Sequence, residues 1–336
     1  PLSTPPSYVR DLTRELGGFH TQGIAEDIHA LSAGVFSDDD YRGQATFVFE
    51  EQQRLFEHEF ARFREGFFFF YFSSLDLNSH AFWRTLDTEH PLYTPELARR
   101  HGDFIPWLYE RMDATIGTVL AQSDERTLVM IVSDHGFASF RRQFNLNGWL
   151  MDYGYARQRP GAGRGENALF GDTDWRETRA YGLGLNGLYL NLKNREQQGC
   201  VKPGLEAERL TDELIRHLTT YRDPANGAQI ISHVSRPAEI YTGAHVSEAP
   251  DLVVCYKPPY RASWDTVLGR YGKEQVMDNK DTWSGDHAMD SEFLSGVLLA
   301  NRSIQAQAPT LCDMAPTIMS AFGAAPAVGM TGKPVL

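Results

Sequence analysis

Five side chains at three places along this 336-residue chain have the chemistry of metal ligands. Imidazole nitrogens and carboxylate oxygens suit zinc, and a catalytic zinc commonly has three such ligands and one open coordination position. Five ligands are too many for one catalytic zinc and slightly too few for two. Two metal ions about 4 Å apart can clamp the attacking and leaving oxygens of an in-line phosphoryl transfer, which also needs a nucleophile. The five side chains are Asp76 and His80, Asp134 and His135, and His287.

The first two of these places also have a purely structural interpretation. Asp76 and His80 are four residues apart and share one face of a helix or single turn, but taken alone they are better explained by a helix-capping Asp76 and a solvent-facing His80. Asp134 could cap a turn beside a surface His135. Asp286 is interpreted as a supporting or surface carboxylate rather than as a ligand. The three places taken together, and none of them alone, indicate a metal centre.

The residues before the first two pairs predict strands that would position them. Residues 127–132 are almost unbroken apolar sequence and residues 67–72 are aromatic, which predicts two strands buried in a parallel sheet. Amphipathic spacing predicts helices over 47–66 and 103–122. Strands that alternate with helices indicate βαβ units, hence an α/β fold with a central, mostly parallel sheet flanked by helices. Ligands bind at the carboxyl ends of the strands in such a sheet.

The rest of the chain predicts further elements of the same class. Residues 157–171 are rich in Gly, Arg and Pro, which indicates a mobile surface loop. Because no repeat and no long polar linker is present, residues 1–336 are expected to form a single catalytic domain. The predicted elements are strands over 187–192, 230–234, 250–256 and 296–300, and helices from about Tyr8, over 205–221 and over 314–322.

Composition constrains the partners and the compartment. The formal net charge of −12 argues against binding to a nucleic-acid backbone, which needs clustered Lys and Arg. It is compatible with a phosphate-containing substrate, since bound divalent cations invert the local potential. The three cysteines are far apart and odd in number, so a cytoplasmic, reducing compartment is expected. No apolar run approaches the roughly eighteen residues that a membrane span needs, and no signal peptide is visible. The oligomeric state is left open.

The motifs Asp-x-x-x-His, Asp-His-Gly and Gly-x-His, in this order, resemble those of the alkaline phosphatase superfamily. The resemblance is closest to its type I phosphodiesterase/nucleotide pyrophosphatase branch, and it extends to SDHGF, FNLNGWL, LYLNLKNREQQG, PDLVV and DMAPTIMSAFG. It implies a three-layer alkaline-phosphatase-like fold. It also implies a metal-dependent hydrolase that cleaves a small-molecule phosphate ester or nucleotide by two-zinc, in-line phosphoryl transfer.

The resemblance also implies how the ligands divide between the two zinc ions. Asp76, His80 and His287 would hold one ion, and Asp134 and His135 would contribute to the other. In that family the second zinc is completed by an Asp at the end of the first strand and by a Ser or Thr nucleophile at the start of a helix. This sequence shows neither where it is expected, so the nucleophile is unassigned.

The missing nucleophile leaves several alternatives open. Ser3–Ser7 is interpreted as an ordinary loop before the helix that starts near Tyr8. The chain is therefore expected to be the C-terminal portion of a longer protein, without its N-terminal strand and nucleophile region. Loss of the nucleophile would instead leave a non-catalytic, metal-stabilised binding protein. A phosphomutase, sulfatase or phosphotransferase of the same superfamily would share much of the site.

Overall fold

The computed structural model describes residues 2–21, 23 and 25–336, and its helices are distributed along the whole of this sequence. Short 3₁₀ turns cover Trp83–Thr85, Val246–Glu248, Ser291–Phe293 and Leu311–Asp313. The α-helices are α1 (Tyr8–Leu16), α2 (Ile28–Ser32), α3 (Asp38–Arg62), α4 (Ser74–Phe82), α5 (Pro95–His101), α6 (Phe104–Ala121), α7 (Leu146–Asp152), α8 (Leu205–Thr220), α9 (Pro237–Ile240), α10 (Trp264–Val267) and α11 (Met314–Ala321).

The strands are short, with two to five residues each. They are β1 (Met130–Val132), β2 (Ala138–Ser139), β3 (Arg142–Phe144), β4 (Ala180–Leu183), β5 (Gly187–Leu190), β6 (Ile231–Ser235), β7 (Leu252–Tyr256), β8 (Tyr260–Ala262), β9 (Val276–Asp278), β10 (Gly285–Asp286) and β11 (Leu298–Ala300). They pair as β1-β11, β10-β2, β8-β3-β9 and β4-β5-β7-β6.

The chain is an α/β protein, but the predicted three-layer arrangement around a large, mostly parallel central sheet is wrong. The four-stranded sheet is antiparallel throughout. Among the named strands of the described residues, β3 and β8 form the parallel pair. Local connections explain the difference: only residues 184–186 separate β4 from β5, and Gly184 adopts a positive φ of 73° there. A connection this short forces an antiparallel hairpin, because a parallel pair needs a long crossover.

The apolar run at 127–132 is not the doubly buried strand that its composition predicts. Strand structure is confined to β1, which pairs antiparallel with β11. Val132 exposes 42% of its surface. An apolar run indicates that a strand can form, but it does not indicate which neighbouring segments will cover its two faces.

The aromatic run at 67–72 is likewise not a buried strand. Phe68, Phe70 and Phe72 pack against Phe56 of α3, with ring centroids 6.0, 5.4 and 5.6 Å away. The alternate side chains, starting at 67, each expose more than half of their surface. The segment therefore has the period-two geometry of a strand, although no strand is assigned to it in the described residues. A run of six aromatic residues has no polar position that could have marked the exposed face.

The residues form two compact units. The first comprises Pro1–Pro106 with Ala138–Asp290, and the second comprises Trp107–Phe137 with Ser291–Leu336. In the first unit, Leu210, Leu214 and Leu218 recur every four residues on α8 and are buried in the cluster that includes the four-stranded sheet. The second unit contains the β1-β11 ladder and α11. None of the helices in the described ranges has the length and apolar character needed to cross a bilayer.

Several elements agree with the sequence patterns. The predicted helices over 103–122, 205–221 and 314–322 are confirmed within two residues as α6, α8 and α11. The helix predicted over 47–66 is present, but it begins earlier, at Asp38, where Ser37 forms a capping box. The prediction of one catalytic domain with a mobile loop over 157–171 stays a prediction.

The carboxylate of Glu26 is buried in a way that changes its pKa. Glu26 precedes α2, is 2% exposed, and accepts a hydrogen bond from Ser74 Oγ at 2.7 Å. Its Oε2 has no hydrogen-bond partner in the described part of the chain. Burial raises the pKa of Glu26, and this effect outweighs the opposing effect of the Ser74 hydrogen bond. The nearby Asp76 carboxylate raises the pKa of Glu26 as well.

We expect Glu26→Gln to stabilise the protein at neutral pH. A carboxyl whose folded pKa is raised contributes its stability fully below its unfolded pKa of about 4.3, and that stability is lost as pH rises through the folded pKa. The neutral amide escapes this loss, so the advantage of the variant should grow from pH 4 to pH 8. Urea unfolding at both pH values measures it, with exposed Glu57→Gln as the control. An advantage that is equal at both pH values would contradict the assignment.

Candidate metal centre

Helix α4 places Asp76 and His80 beside each other. Asp76 lies in the first turn, where the positive end of the helix dipole stabilises a carboxylate. His80 is one turn later on the same face, with its Nε2 3.7 Å from Asp76 Oδ2. His80 is 2% exposed, whereas the Asp76 side chain is 28% exposed. The pair therefore has a rigid, buried imidazole and a carboxylate that solvent can reach.

A second segment docks on the C-terminal end of α4 through Ser284. The Ser284 N–H donates to His80 O at 2.7 Å, and the Ser284 hydroxyl lies 3.0 and 3.1 Å from the carbonyls of His80 and Ala81. In turn, the Arg84 N–H donates to Ser284 Oγ at 3.1 Å. The last carbonyls of a helix lack partners within the helix, so these bonds satisfy them and fix the following residues beside His80.

This docking brings His287 to the same pair. His287 Nε2 lies 3.6 Å from Asp76 Oδ1, and its ring centroid is 5.1 Å from that of His80. These atom separations exceed the 2.7–3.2 Å typical of hydrogen bonds. They are close to the separation of about 3.3 Å between neighbouring ligand atoms on a tetrahedral zinc with bonds of about 2.0–2.1 Å. The two separations between Asp76 and the imidazole nitrogens are therefore compatible with ligands of one cation.

The protonation state of His80 fits the same role. Burial lowers the pKa of His80 to about 4, so its imidazole is neutral at pH 7. Its Nδ1 is 2.7 Å from Gly285 O, an atom that can only accept, so the proton is on Nδ1. The lone pair is then on Nε2, the nitrogen nearer to Asp76. A neutral imidazole whose other nitrogen is held by a carbonyl is the form that ligates metals.

The second unit contains a similar local arrangement at Asp134 and His135. His135 Nε2 lies 3.5 Å from Asp134 Oδ1, and His135 Nδ1 is 2.9 Å from the carbonyl of Gly136. As at His80, a backbone carbonyl holds one ring nitrogen while the other is close to a carboxylate. The Asp134 side chain is 63% exposed and the His135 side chain 27%. This pair can therefore present two ligand atoms to a metal ion.

Backbone contacts position the Asp134–His135 turn. The Ser133 N–H donates to Val297 O at 2.9 Å, and the Val297 N–H donates to Ser133 Oγ at 2.7 Å. The Gly136 N–H donates to Leu294 O at 2.7 Å. A Cβ at Gly136 would lie 2.7 Å from Ser295 O, so a side chain cannot be accommodated there without movement of the backbone. Glycine is required by this close approach.

The environment of the predicted ligands includes charged residues that sequence reasoning missed or undervalued. Asp286 is buried and forms an ion pair with buried Arg261, whose Nε lies 2.7 Å from Asp286 Oδ2. Burial raises the pKa of Asp286, but Arg261 and His80 outweigh it and leave that pKa below its usual value. Trp283 donates to the same carboxylate at 2.7 Å. No sequence motif marked Arg261 or Trp283, although Asp286 is adjacent to a predicted ligand.

The structure thus brings together Asp76, His80 and His287 in the first unit, and Asp134 with His135 in the second. Ser3–Ser7 forms bends and turns ahead of α1, in agreement with its interpretation as a loop. The nucleophile stays unassigned.

A family model described as type I phosphodiesterase/nucleotide pyrophosphatase matches residues 3–287. This span covers most of the chain and includes all five predicted ligands. The chain belongs to the type I phosphodiesterase/nucleotide pyrophosphatase family. The resemblance inferred from the motifs is therefore confirmed, and membership indicates a hydrolase of this type that acts on phosphoric esters. Searches among curated proteins and among solved structures gave no match.

We expect Ser284→Ala to lower the free energy of unfolding by about 1–3 kcal/mol, the cost of leaving buried polar groups unsatisfied. Ser284 is fully buried, and its hydroxyl is bonded to His80 and Arg84 at the C-terminal end of α4. Urea denaturation followed by circular dichroism measures the loss. Ser79→Ala is the matched control, since the buried Ser79 hydroxyl donates to Leu75 O, a carbonyl inside α4. Equal losses in the two variants would show that Ser284 has no special docking role.

Proposed function

We propose that this protein is a phosphodiesterase or nucleotide pyrophosphatase that depends on two divalent cations, with Zn²⁺ the best match to its ligands. The observation that carries the proposal is the cluster of Asp76, His80 and His287. The Asp76 carboxylate oxygens lie 3.6–3.7 Å from the Nε2 atoms of His287 and His80, and the buried His80 imidazole is neutral with its proton on Nδ1. An ion pair between Asp76 and a charged His80 does not explain this geometry, because burial disfavours the imidazolium.

The proposed ligand sets follow the family and the local chemistry. Asp76, His80 and His287 hold one cation, and Asp134 with His135 contributes to the other. Support comes from the arrangement shared by His80 and His135, in which Nδ1 contacts a backbone carbonyl and Nε2 lies 3.5–3.7 Å from a carboxylate. When bound, the cations supply positive charge against the negative charge that develops on the phosphoryl oxygens.

The negative charge of the chain also indicates that the site needs bound cations. Its formal net charge is −12, and two of the five proposed ligands are carboxylates. A phosphodiester anion that approaches carboxylates such as Asp76 and Asp134 is repelled unless cations reverse the local potential. The protein groups then have defined tasks: the carboxylates and imidazoles hold the cations, and backbone carbonyls orient the rings of His80 and His135.

The experiment is hydrolysis of bis-p-nitrophenyl phosphate, p-nitrophenyl phosphate and p-nitrophenyl sulfate by the zinc-loaded protein expressed from its complete gene. We expect the diester to be preferred. His287→Ala should lower turnover by at least about 100-fold, since loss of a group that stabilises developing charge costs on the order of 10²–10³ in kcat. His233→Ala is the control, because His233 is similarly exposed and also lies next to a carboxylate, that of Asp290.

Distinct results would overturn distinct parts of the proposal. Activity that survives complete removal of metal by a chelator would exclude the cation requirement. Preference for the monoester or the sulfate would replace the diesterase assignment with another activity of the superfamily. Zinc binding without hydrolysis of any of the three compounds would favour a metal-stabilised binding protein. Full activity in His287→Ala would remove His287 from the site.

A further inference from the structure

A single buried carboxylate, Asp286, organises the segment that carries His287 and the indole that stacks on His80. Its Oδ1 accepts hydrogen bonds from the backbone N–H groups of His287 at 2.7 Å and Ala288 at 2.8 Å. Its Oδ2 accepts from the indole N–H of Trp283 at 2.7 Å and lies 2.7 Å from Arg261 Nε. Each oxygen therefore has two N–H groups beside it.

Arg261 is an unusual partner because it is itself buried. It is 2% exposed, and its guanidinium lies between the rings of Phe140 and Trp264, 4.9 and 4.2 Å from their centroids. Removal of a cation from water is costly, and a buried ion pair contributes little net stability compared with apolar residues of similar size. The aromatic rings and Asp286 do, however, fix the guanidinium in one place. The ion pair therefore fixes the positions of its two side chains and adds little to the stability of the fold.

The contacts of Asp286 extend to the surroundings of both His80 and His287. The indole of Trp283 stacks on the His80 ring, with centroids 3.7 Å apart and planes at 24°. Because the same indole donates to Asp286, the carboxylate fixes the plane against which His80 packs. Asp286 also holds the peptide N–H of His287, which sets the backbone from which that ligand projects. One side chain thus contacts both the indole that packs on His80 and the backbone N–H of His287.

We propose that Asp286, with its charge balanced by Arg261, is a positioning residue for the zinc ion held by Asp76, His80 and His287. The inference rests on the proposed function, since it assumes that these three side chains bind zinc. Asp286 acts through the main chain of His287 and through the Trp283 ring, so it sets the affinity and coordination geometry of the ion. An ion pair with a structural role only would affect folding and leave these two properties unchanged.

The test compares Asp286→Asn with a matched control, Asp223→Asn. An amide at 286 keeps the size of the side chain, but its N–H₂ group must face either the N–H groups of His287 and Ala288 or those of Trp283 and Arg261. Asp223 is also a buried carboxylate paired with an arginine, Arg142, at 2.9 Å, and it lies outside the ligand cluster. We expect Asp286→Asn to weaken Zn²⁺ binding by about 10–100-fold, the usual effect when a group that supports a ligand is lost. The control should bind like the parent protein.

Zinc affinity is measured by competition with a chromophoric chelator, and the visible spectrum of the Co²⁺-loaded protein reports the coordination geometry. Urea unfolding of each variant shows the cost in stability separately. If Asp286→Asn does not fold, Trp283→Phe decides the question, because it keeps the ring on His80 and removes the N–H bonded to Asp286. We expect Trp283→Phe to weaken Zn²⁺ binding several-fold and to change the Co²⁺ spectrum.

The possible outcomes distinguish failure of the positioning role from failure of the proposed function. A parent protein that binds no Zn²⁺ overturns both. Tight binding by the parent, with affinity and Co²⁺ spectrum unchanged in Asp286→Asn, overturns the positioning role alone and leaves the proposed function intact. Equal weakening in Asp223→Asn also overturns it, because the effect would then follow from the loss of any buried ion pair.

Discussion

The contact between Ser284 and the C-terminal end of α4 is the constraint on which the ligand cluster depends. The last carbonyls of a helix need partners, and the Ser284 N–H and hydroxyl groups supply them at His80 and Ala81. The next residues are then fixed beside the helix. Gly285 places its carbonyl at His80 Nδ1, and His287 comes within 3.6 Å of Asp76. A requirement of backbone hydrogen bonding thus assembles side chains that are some two hundred positions apart.

Electrostatics determines what this cluster can do. Burial keeps His80 neutral, so the cluster has lone pairs and a carboxylate rather than an ion pair. Asp76 and His287 are 28% and 34% exposed, which leaves the open side of the cluster accessible to solvent and to a cation. The Arg261–Asp286 pair is buried, and the rings of Phe140 and Trp264 contact its guanidinium. The arrangement combines rigid support with an accessible ligand surface, as a metal centre requires.

The sequence predicted local features well and long-range pairing poorly. The four-residue spacing of Asp76 and His80 was sufficient to place both on one helix face, since helix geometry depends on neighbours in sequence. The order of the three motifs identified the family. In contrast, the burial of 67–72 and 127–132 depends on which segments cover them, and an apolar run contains no information on its partners. Arg261 was missed for the same reason, because its role depends on a contact with a residue distant in sequence.

The most direct measurement is an anomalous difference map, recorded at the zinc absorption edge, from crystals of the protein soaked in Zn²⁺. The account predicts a peak about 2.0–2.1 Å from an Asp76 carboxylate oxygen and from the Nε2 atoms of His80 and His287. A peak at other residues, or the absence of a peak at these three under saturating Zn²⁺, would contradict the claim that the cluster is a metal centre.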